Sequence, residues 1–194
     1  LSLLPAIVLT MTSFTRVIVV LSFVRQGIGT PQLPPSQILV GISLFVTLFT
    51  MSPITSRIVT EAYEPYSAGK IDEQTAIERA TTPLRSFMLR QTREADLALF
   101  YEAARIPLPK VEEDVPMRIA VPAFVVSEIT TAFHMGVLVL LPFSLIDLAV
   151  SSVLMSMSMM MEPPASISLP LKLLLFVVVD GWNLIVGSLI RSFA

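Results

Sequence analysis

The long apolar segment that decides the fold ends, at residues 153–164, in Val-Leu-Met-Ser-Met-Ser-Met-Met-Met-Glu-Pro-Pro. Five of the ten methionines of the chain fall in this short run. Methionine is unbranched and flexible, so a cluster of it can fill irregular gaps or adapt to many shapes. Pro163 and Pro164 lack the N–H that a continuing helix needs, so the helix must stop before them. The run predicts either filler of a protein core or a deformable closure on a loop, formed by Met155, Met157, Met159, Met160 and Met161.

The composition is that of a membrane protein or of part of a very apolar assembly. Apolar residues make up 54% of the chain, the mean hydropathy is +0.77, and only 14% of residues are charged, against about 25% in soluble domains. A net charge of −2 offers no basic surface for nucleic acid. The chain has no cysteine, which excludes disulfides and thiolate metal sites. We expect no metal, no cofactor and no nucleic-acid partner.

The charges are concentrated in one central segment. Residues 61–118 hold 11 acids and 8 bases, which is 19 of the 28 formal charges. This distribution predicts three parts: N-terminal apolar helices at 1–60, a polar helical insert at 61–118, and a C-terminal apolar helical hairpin at 119–194 that contains the methionine-rich loop.

The hydrophobic pattern predicts an all-α protein, because no stretch alternates in the manner of a strand. Apolar residues at helical spacing predict two amphipathic helices in the insert, at 71–91 and 92–104. The apolar run that starts at Ile38 is expected to end at Pro53. Residues 119–161 exceed the roughly 20 residues of one membrane span, so we expect this segment to be divided near its prolines and Asp147. The last apolar block, 171–193, is long enough to span a membrane, yet it contains Lys172, Asp180 and Gly181.

Ionisable residues lie inside the apolar blocks, away from their ends. A charge at the centre of a bilayer costs roughly 2.5 kcal/mol or more on insertion scales, so such groups usually face protein or water. We therefore expect helices that pack mainly against other protein in an oligomer, with the inner charges in ion pairs. The candidate members of these pairs are Glu128, Asp147, Lys172 and Asp180.

Lys172 has several possible roles. It lies eight residues from Asp180, about 12 Å along a helix, which is too far for a direct bond within one helix. Its partner is then Glu128, Asp147 or a group of a neighbouring subunit, and the pair would lock helices or subunits together. The alternative is a lysine that extends its ammonium to the surface near a helix end.

Two other classes of function remain open at this point. Asp147 and Asp180 would be the pair of an intramembrane aspartyl protease, although the glycine-rich setting expected before the second aspartate is missing. A proton relay through these residues and Glu128 is a further interpretation, and a small-solute transporter is the general alternative. The chain has one histidine, His134, and lacks the motifs of zinc peptidases and NTPases. We expect a protein that is not an enzyme.

Several motifs resemble those of the FliP family of flagellar export-gate proteins, and the resemblance covers essentially all 194 residues. The C-terminal half is also similar to the injectisome relatives of that family. The motifs are Thr12–Leu21, Phe87–Glu94, Asp114–Arg118, Val121–Phe124, Leu141–Phe143, Ile146–Leu148, Val153–Met161, Ile167–Lys172 and Val179–Trp182.

The resemblance implies the main subunit of a type III protein export gate in the flagellar basal body of the bacterial inner membrane, partly on its periplasmic side. Five copies would form a ring-like, helical oligomer with smaller subunits of the FliQ and FliR families and an FlhB-type component, surrounded by membrane lipid. Unfolded flagellar proteins would pass through its centre. The methionine-rich loop would line the narrowest point as a gasket, which falls on Met159, Met160 and Met161. The resemblance, and not the charges, implies that the insert at 61–118 is on the periplasmic side. It also implies that a cleaved signal peptide precedes the mature chain.

Overall fold

The computed structural model describes residues 9–30, 33–107, 109, 111, 114–157 and 163–193. Within these ranges the regular structure is helical and no strand occurs, so the all-α prediction is confirmed. The ring-like oligomer stays a prediction. The α-helices are α1 (Phe14–Ile28), α2 (Ser36–Ile58), α3 (Glu64–Ser67), α4 (Glu73–Gln91), α5 (Glu94–Ala104), α6 (Met117–Ser156), α7 (Pro164–Val178) and α8 (Gly181–Arg191).

The helix that begins at Ser36 does not end at Pro53, as the sequence predicted, but continues through it. The Thr55 hydroxyl lies within hydrogen-bond distance of the carbonyls of Met51 and Ser52. Pro53 removes a single backbone bond, to the carbonyl of Phe49, and this loss does not end the helix. A π-helix, Val59–Tyr63, then leads directly into α3. Its wider turn precedes Pro65, which has no N–H to bond the carbonyl four residues earlier.

The expected division of residues 119–161 is also wrong over the described part, because α6 is one continuous helix of 40 residues. Pro122 and Pro142 lie inside it. Each proline removes one backbone hydrogen bond, and the rest of a long helix is sufficient to keep it continuous. Two described helical stretches, Ser36–Ser67 and Met117–Ser156, are long and apolar enough to cross a membrane.

The last apolar block is two helices rather than one. The axes of α7 and α8 are bent by 61°, and the pair counts as a third candidate span only if both helices are taken together. Asp180 sits at the joint with φ 51°, a left-handed conformation that ends α7. A Cβ at Gly181 would lie 2.4 Å from the ring of Phe176, so this close turn requires glycine.

The described residues form two compact units, one within residues 1–15 and 47–130 and the other within residues 16–46 and 131–194. In the first, Phe87 of α4 packs against Phe124 of α6, with ring centroids 5.8 Å apart. In the second, a buried cluster joins helices α1, α2, α6 and α8 through Val17, Val20, Leu21, Leu39, Val46, Ala132 and Leu189. The three-part organisation with boundaries at 60 and 118 stays a prediction.

Candidate functional site

The methionine-rich end of α6 is the first part of the candidate site. Among the described residues of this segment, the final helical hydrogen bond runs from the N–H of Met157 to the carbonyl of Val153, at 3.1 Å. Met155 is 61% exposed and Met157 is 63% exposed. Their side chains are therefore not filler of this chain's own core. Met159, Met160 and Met161, the predicted gasket, lie outside the described residues.

The chain re-enters helical structure at Pro164, the first residue of α7. Proline suits this position because the first N–H of a helix needs no intrahelical partner and the φ of proline is already helical. Pro163 precedes it in an extended conformation, with φ −67° and ψ 119°. The two prolines thus fix where the methionine-rich segment ends and α7 begins.

An ion pair connects the two helices that flank this segment. Lys172 Nζ of α7 lies 2.6 Å from Asp147 Oδ2 of α6. The lysine side chain is 8% exposed and the aspartate side chain is 48% exposed. Lys172 does not extend its ammonium to the surface, and of the partners considered from the sequence, the one it contacts within the described structure is Asp147.

The end of α1 closes the surroundings of the lysine ammonium. Gly29 has φ +87°, and a Cβ built on it would lie 3.6 Å from Lys172 Nζ. The carboxyl end of a helix carries partial negative charge, so the end of α1 and the Asp147 carboxylate both attract the lysine ammonium. Ser168, one turn before Lys172 on α7, is also buried beside the pair.

The other two predicted charges have different surroundings. Asp180 is exposed at the joint of α7 and α8, where it accepts a hydrogen bond from Asn183 Nδ2 at 3.1 Å. Asp147 and Asp180, the two aspartates of the protease hypothesis, thus bond to Lys172 and Asn183 respectively. Glu128 of α6 is fully buried and belongs to the first compact unit. No group of three histidine or carboxylate side chains suited to a metal occurs among the residues the structure describes.

Two polar contacts were not foreseen from the sequence. Arg16 of α1, 3% exposed, donates to the backbone oxygen and the hydroxyl of Ser192 and lies 4.0 Å from the ring centroid of Phe193. The position of Arg16 inside an apolar block predicts that it has a polar partner. The identity of that partner could not be predicted, because Ser192 is 176 residues away in the sequence.

The second contact is in the polar insert. Asp96, in the first turn of α5, accepts hydrogen bonds from Arg93 Nε at 2.7 Å and from the Ser127 hydroxyl at 2.5 Å. The Arg93 guanidinium holds the pKa of Asp96 below its ordinary value, burial acts against this shift, and the Ser127 hydroxyl adds to it. The sequence places Asp96 in the first turn of a predicted helix, where an acid is stabilised by the partial positive charge of the helix end. Its bond to α6 was not readable from the sequence.

Comparison with known proteins gives matches along nearly the whole of this chain. A family model described as the FliP family matches residues 1–189. The flagellar biosynthetic protein FliP of Pectobacterium carotovorum subsp. carotovorum is 58% identical over 193 residues, which cover all of this chain and 75% of that protein. The protein of the same name from Bacillus subtilis is 50% identical, covering 99% of this chain and 87% of its own length. A third, from Buchnera aphidicola subsp. Baizongia pistaciae, is also 50% identical, and the chain spans 54% of it.

Proposed function

The chain belongs to the FliP family of flagellar biosynthetic proteins, and we propose that it is a core subunit of the flagellar protein export gate. In this proposal its methionine-rich loop forms one sector of a gasket around a passage for unfolded proteins. The family match over residues 1–189 carries the proposal. The relatives are named as flagellar biosynthetic proteins and not as enzymes, so the chain is not the aspartyl protease considered above.

The exposure of Met155 and Met157 supports a closure shared between subunits. A soft apolar side chain that is more than half exposed in one chain gains stability when other chains cover it. Methionines from several copies would close against one another when the passage is empty. They would yield to varied side chains because they need no specific hydrogen bonds. A hydrophobic constriction of this kind blocks ions by excluding water.

The pair formed by Lys172 and Asp147 supports the proposal in another way. It joins α6, which leads into the methionine-rich segment, to α7, which follows it. A bridge between these helices limits how far the two ends of the segment can separate. In the proposal the pair is a positioning element for the gasket.

The proposed setting is the bacterial inner membrane at the flagellar basal body. The two apolar helical stretches support association with a membrane. We propose an assembly of five copies with smaller subunits of the FliQ and FliR families, an FlhB-type export component and membrane lipid. Its substrates would be unfolded flagellar proteins, with no nucleic acid involved.

The test is to replace Met159, Met160 and Met161 together by alanine. We expect the triple variant to leak small ions or solutes across the membrane while still exporting flagellar proteins, because alanine is too short to close the passage. Membrane leakage and motility would be measured in the same cells. Met117→Ala, at the opposite end of α6, is the matched control and should not leak. An ion-tight triple variant that is assembled at normal levels would contradict the gasket.

A further inference from the structure

The first turns of α4 carry an exposed apolar side chain on the side of the helix that packs further along. Met88 of α4 is fully buried, and Ile77 lies eleven residues earlier, about three helical turns, on the same side. Ile77 is nevertheless 57% exposed. The packed side of α4 therefore continues into an open groove of about 580 Å³. The groove is lined by Asp72, Glu73, Gln74, Ile77 and Glu78.

Acidic side chains surround Ile77 in this groove. Three of the described lining residues carry a carboxylate and none is basic. Glu73 and Glu78 precede and follow Ile77 on α4, and both are exposed. Neither glutamate forms an ion pair within the part of the chain that the structure describes. An apolar side chain framed by unpaired carboxylates is complementary to a surface that combines apolar and basic groups.

The same helix presents basic side chains on its other side. Arg79 follows Ile77 by two residues, which is about 200° around a helix, so the two side chains point in nearly opposite directions. Arg90 lies eleven residues after Arg79 and thus on the same side as Arg79. Both arginines are exposed, and neither is in an ion pair among the described residues. Each copy of α4 therefore has an acidic side and a basic side.

We propose that the acidic groove of one copy receives the arginine side of α4 from a second copy, with Glu78 facing Arg79 and Ile77 covered between them. This contact rests on the proposed assembly of several copies and assigns residues to it. A contact between two different sides of one chain is heterologous, and such contacts form a ring when the rotation between neighbours closes. The opposite charges fix the orientation of the neighbour, and burial of Ile77 adds apolar contact.

Cysteine crosslinking in the purified complex tests this contact. The chain has no cysteine, so Gln74→Cys places a thiol in the groove and Thr82→Cys places one about a turn after Arg79. With a short bifunctional maleimide, we expect the double variant to form dimers, trimers and larger species in denaturing gels. Each single variant should stay largely monomeric, because its thiols do not face each other. Gln74→Cys combined with Ala103→Cys, an exposed position of α5, is the matched control and should form no ladder.

A charge swap in the double-cysteine background gives a second readout. Arg79→Glu should lower the crosslinked fraction about two- to fivefold, the range expected for the loss of one exposed ion pair. Adding Glu78→Arg should restore crosslinking, since every copy then carries the reversed pair. Arg118→Glu, at an exposed arginine in the first turn of α6, is the control and should leave the ladder unchanged.

The outcomes separate this contact from the export-gate proposal. A dimer formed by Gln74→Cys alone would mean that two grooves face each other, and a double swap without recovery would mean that Glu78 and Arg79 do not meet. Either result overturns the contact. A complex that holds several copies but gives no ladder also overturns it, while the export-gate proposal stands. A complex with a single copy of the chain would contradict both.

Discussion

Lys172 illustrates how far a single charged residue can be interpreted from sequence. Its place in an apolar block predicts a partner, and its spacing from Asp180 excludes a direct bond along one helix. The choice of Asp147 depends on how α6 and α7 approach each other across the intervening segment, which no local pattern encodes. The pair is also asymmetric, since the lysine is buried while the aspartate is 48% exposed. Water therefore still solvates the carboxylate.

A charge swap tests this pair. Removing one member of a fully buried ion pair costs about 3–5 kcal/mol. Lys172→Glu also places a second carboxylate beside Asp147, so we expect a loss of at least about 3 kcal/mol although Asp147 keeps part of its hydration. The variant should unfold at lower temperature and assemble poorly. Adding Asp147→Lys should restore much of the loss. A double variant no better than the single one, in thermal unfolding and in yield of assembled protein, would contradict the pairing.

Glycine positions provide a second test at the scale of single residues. A Cβ at Gly136 of α6 would lie 2.1 Å from Phe23 Cδ2, whereas a Cβ at Gly41 of α2 meets nothing within 4 Å. We expect Gly136→Ala to destabilise the protein by about 1–3 kcal/mol, because the aromatic ring must move within a packed contact.

Gly41→Ala is the matched control for this test. It should be neutral or stabilising by up to about 1 kcal/mol, since alanine favours the helix. Thermal unfolding of both variants measures the difference. Equal midpoints for the two would show that the contact between Gly136 and Phe23 is not close.

At the scale of whole helices, the sequence predicted the insert better than the apolar segments. The predicted helices at 71–91 and 92–104 correspond to Glu73–Gln91 and Glu94–Ala104. An amphipathic stripe marks such helices because one side contacts water. The apolar helices are hydrophobic all round, so their ends were inferred from prolines. That inference failed at Pro53, Pro122 and Pro142, because a long helix tolerates an internal proline. The bend at Asp180 was missed because a left-handed residue leaves little signal.

The first turn of α5 leads to a prediction about pH. The pKa of Asp96 is lowered in the folded protein, mainly by the Arg93 guanidinium, while in the unfolded chain it is about 3.9. The contribution of Asp96 to stability is therefore complete above about pH 4 and is lost as the pH falls through the folded pKa. We expect Asp96→Asn to lower the unfolding midpoint at pH 7 and to weaken its decrease on acidification.

A neighbouring acid is the control for this pH dependence. Glu94→Gln changes a carboxylate in the same first turn of α5 and should leave the wild-type dependence in place. Thermal unfolding between pH 7 and about pH 3 would be followed for both variants and the wild type. If Asp96→Asn keeps the full acid-induced loss of stability, the bonds from Arg93 and Ser127 do not stabilise α5.

For the whole molecule, the exposed apolar surface is the main observation. Phe45, Leu48 and Phe49 of α2 are 75%, 67% and 65% exposed, and Leu138, Leu145 and Leu148 of α6 are exposed to a similar degree. Surfaces of this kind on an isolated chain indicate a membrane or protein partner. Composition and inner charges predicted an apolar assembly from the sequence. They could not show which part of this surface contacts lipid and which part contacts neighbouring subunits, because similar apolar side chains face both.

The mass of the complex, purified together with its co-encoded partners, distinguishes an export-gate subunit from a small-solute transporter. We expect several copies of this chain, five in the proposed gate, bound to smaller subunits. The physical reason is that Met155 and Met157 are exposed in one chain and would be covered only when several chains meet. The charge swap should recover this mass if Lys172 and Asp147 position the helices that meet. A stable monomer or dimer that binds a small solute at the midplane of the membrane would instead favour a transporter, and the methionine-rich segment would then have no ring to close.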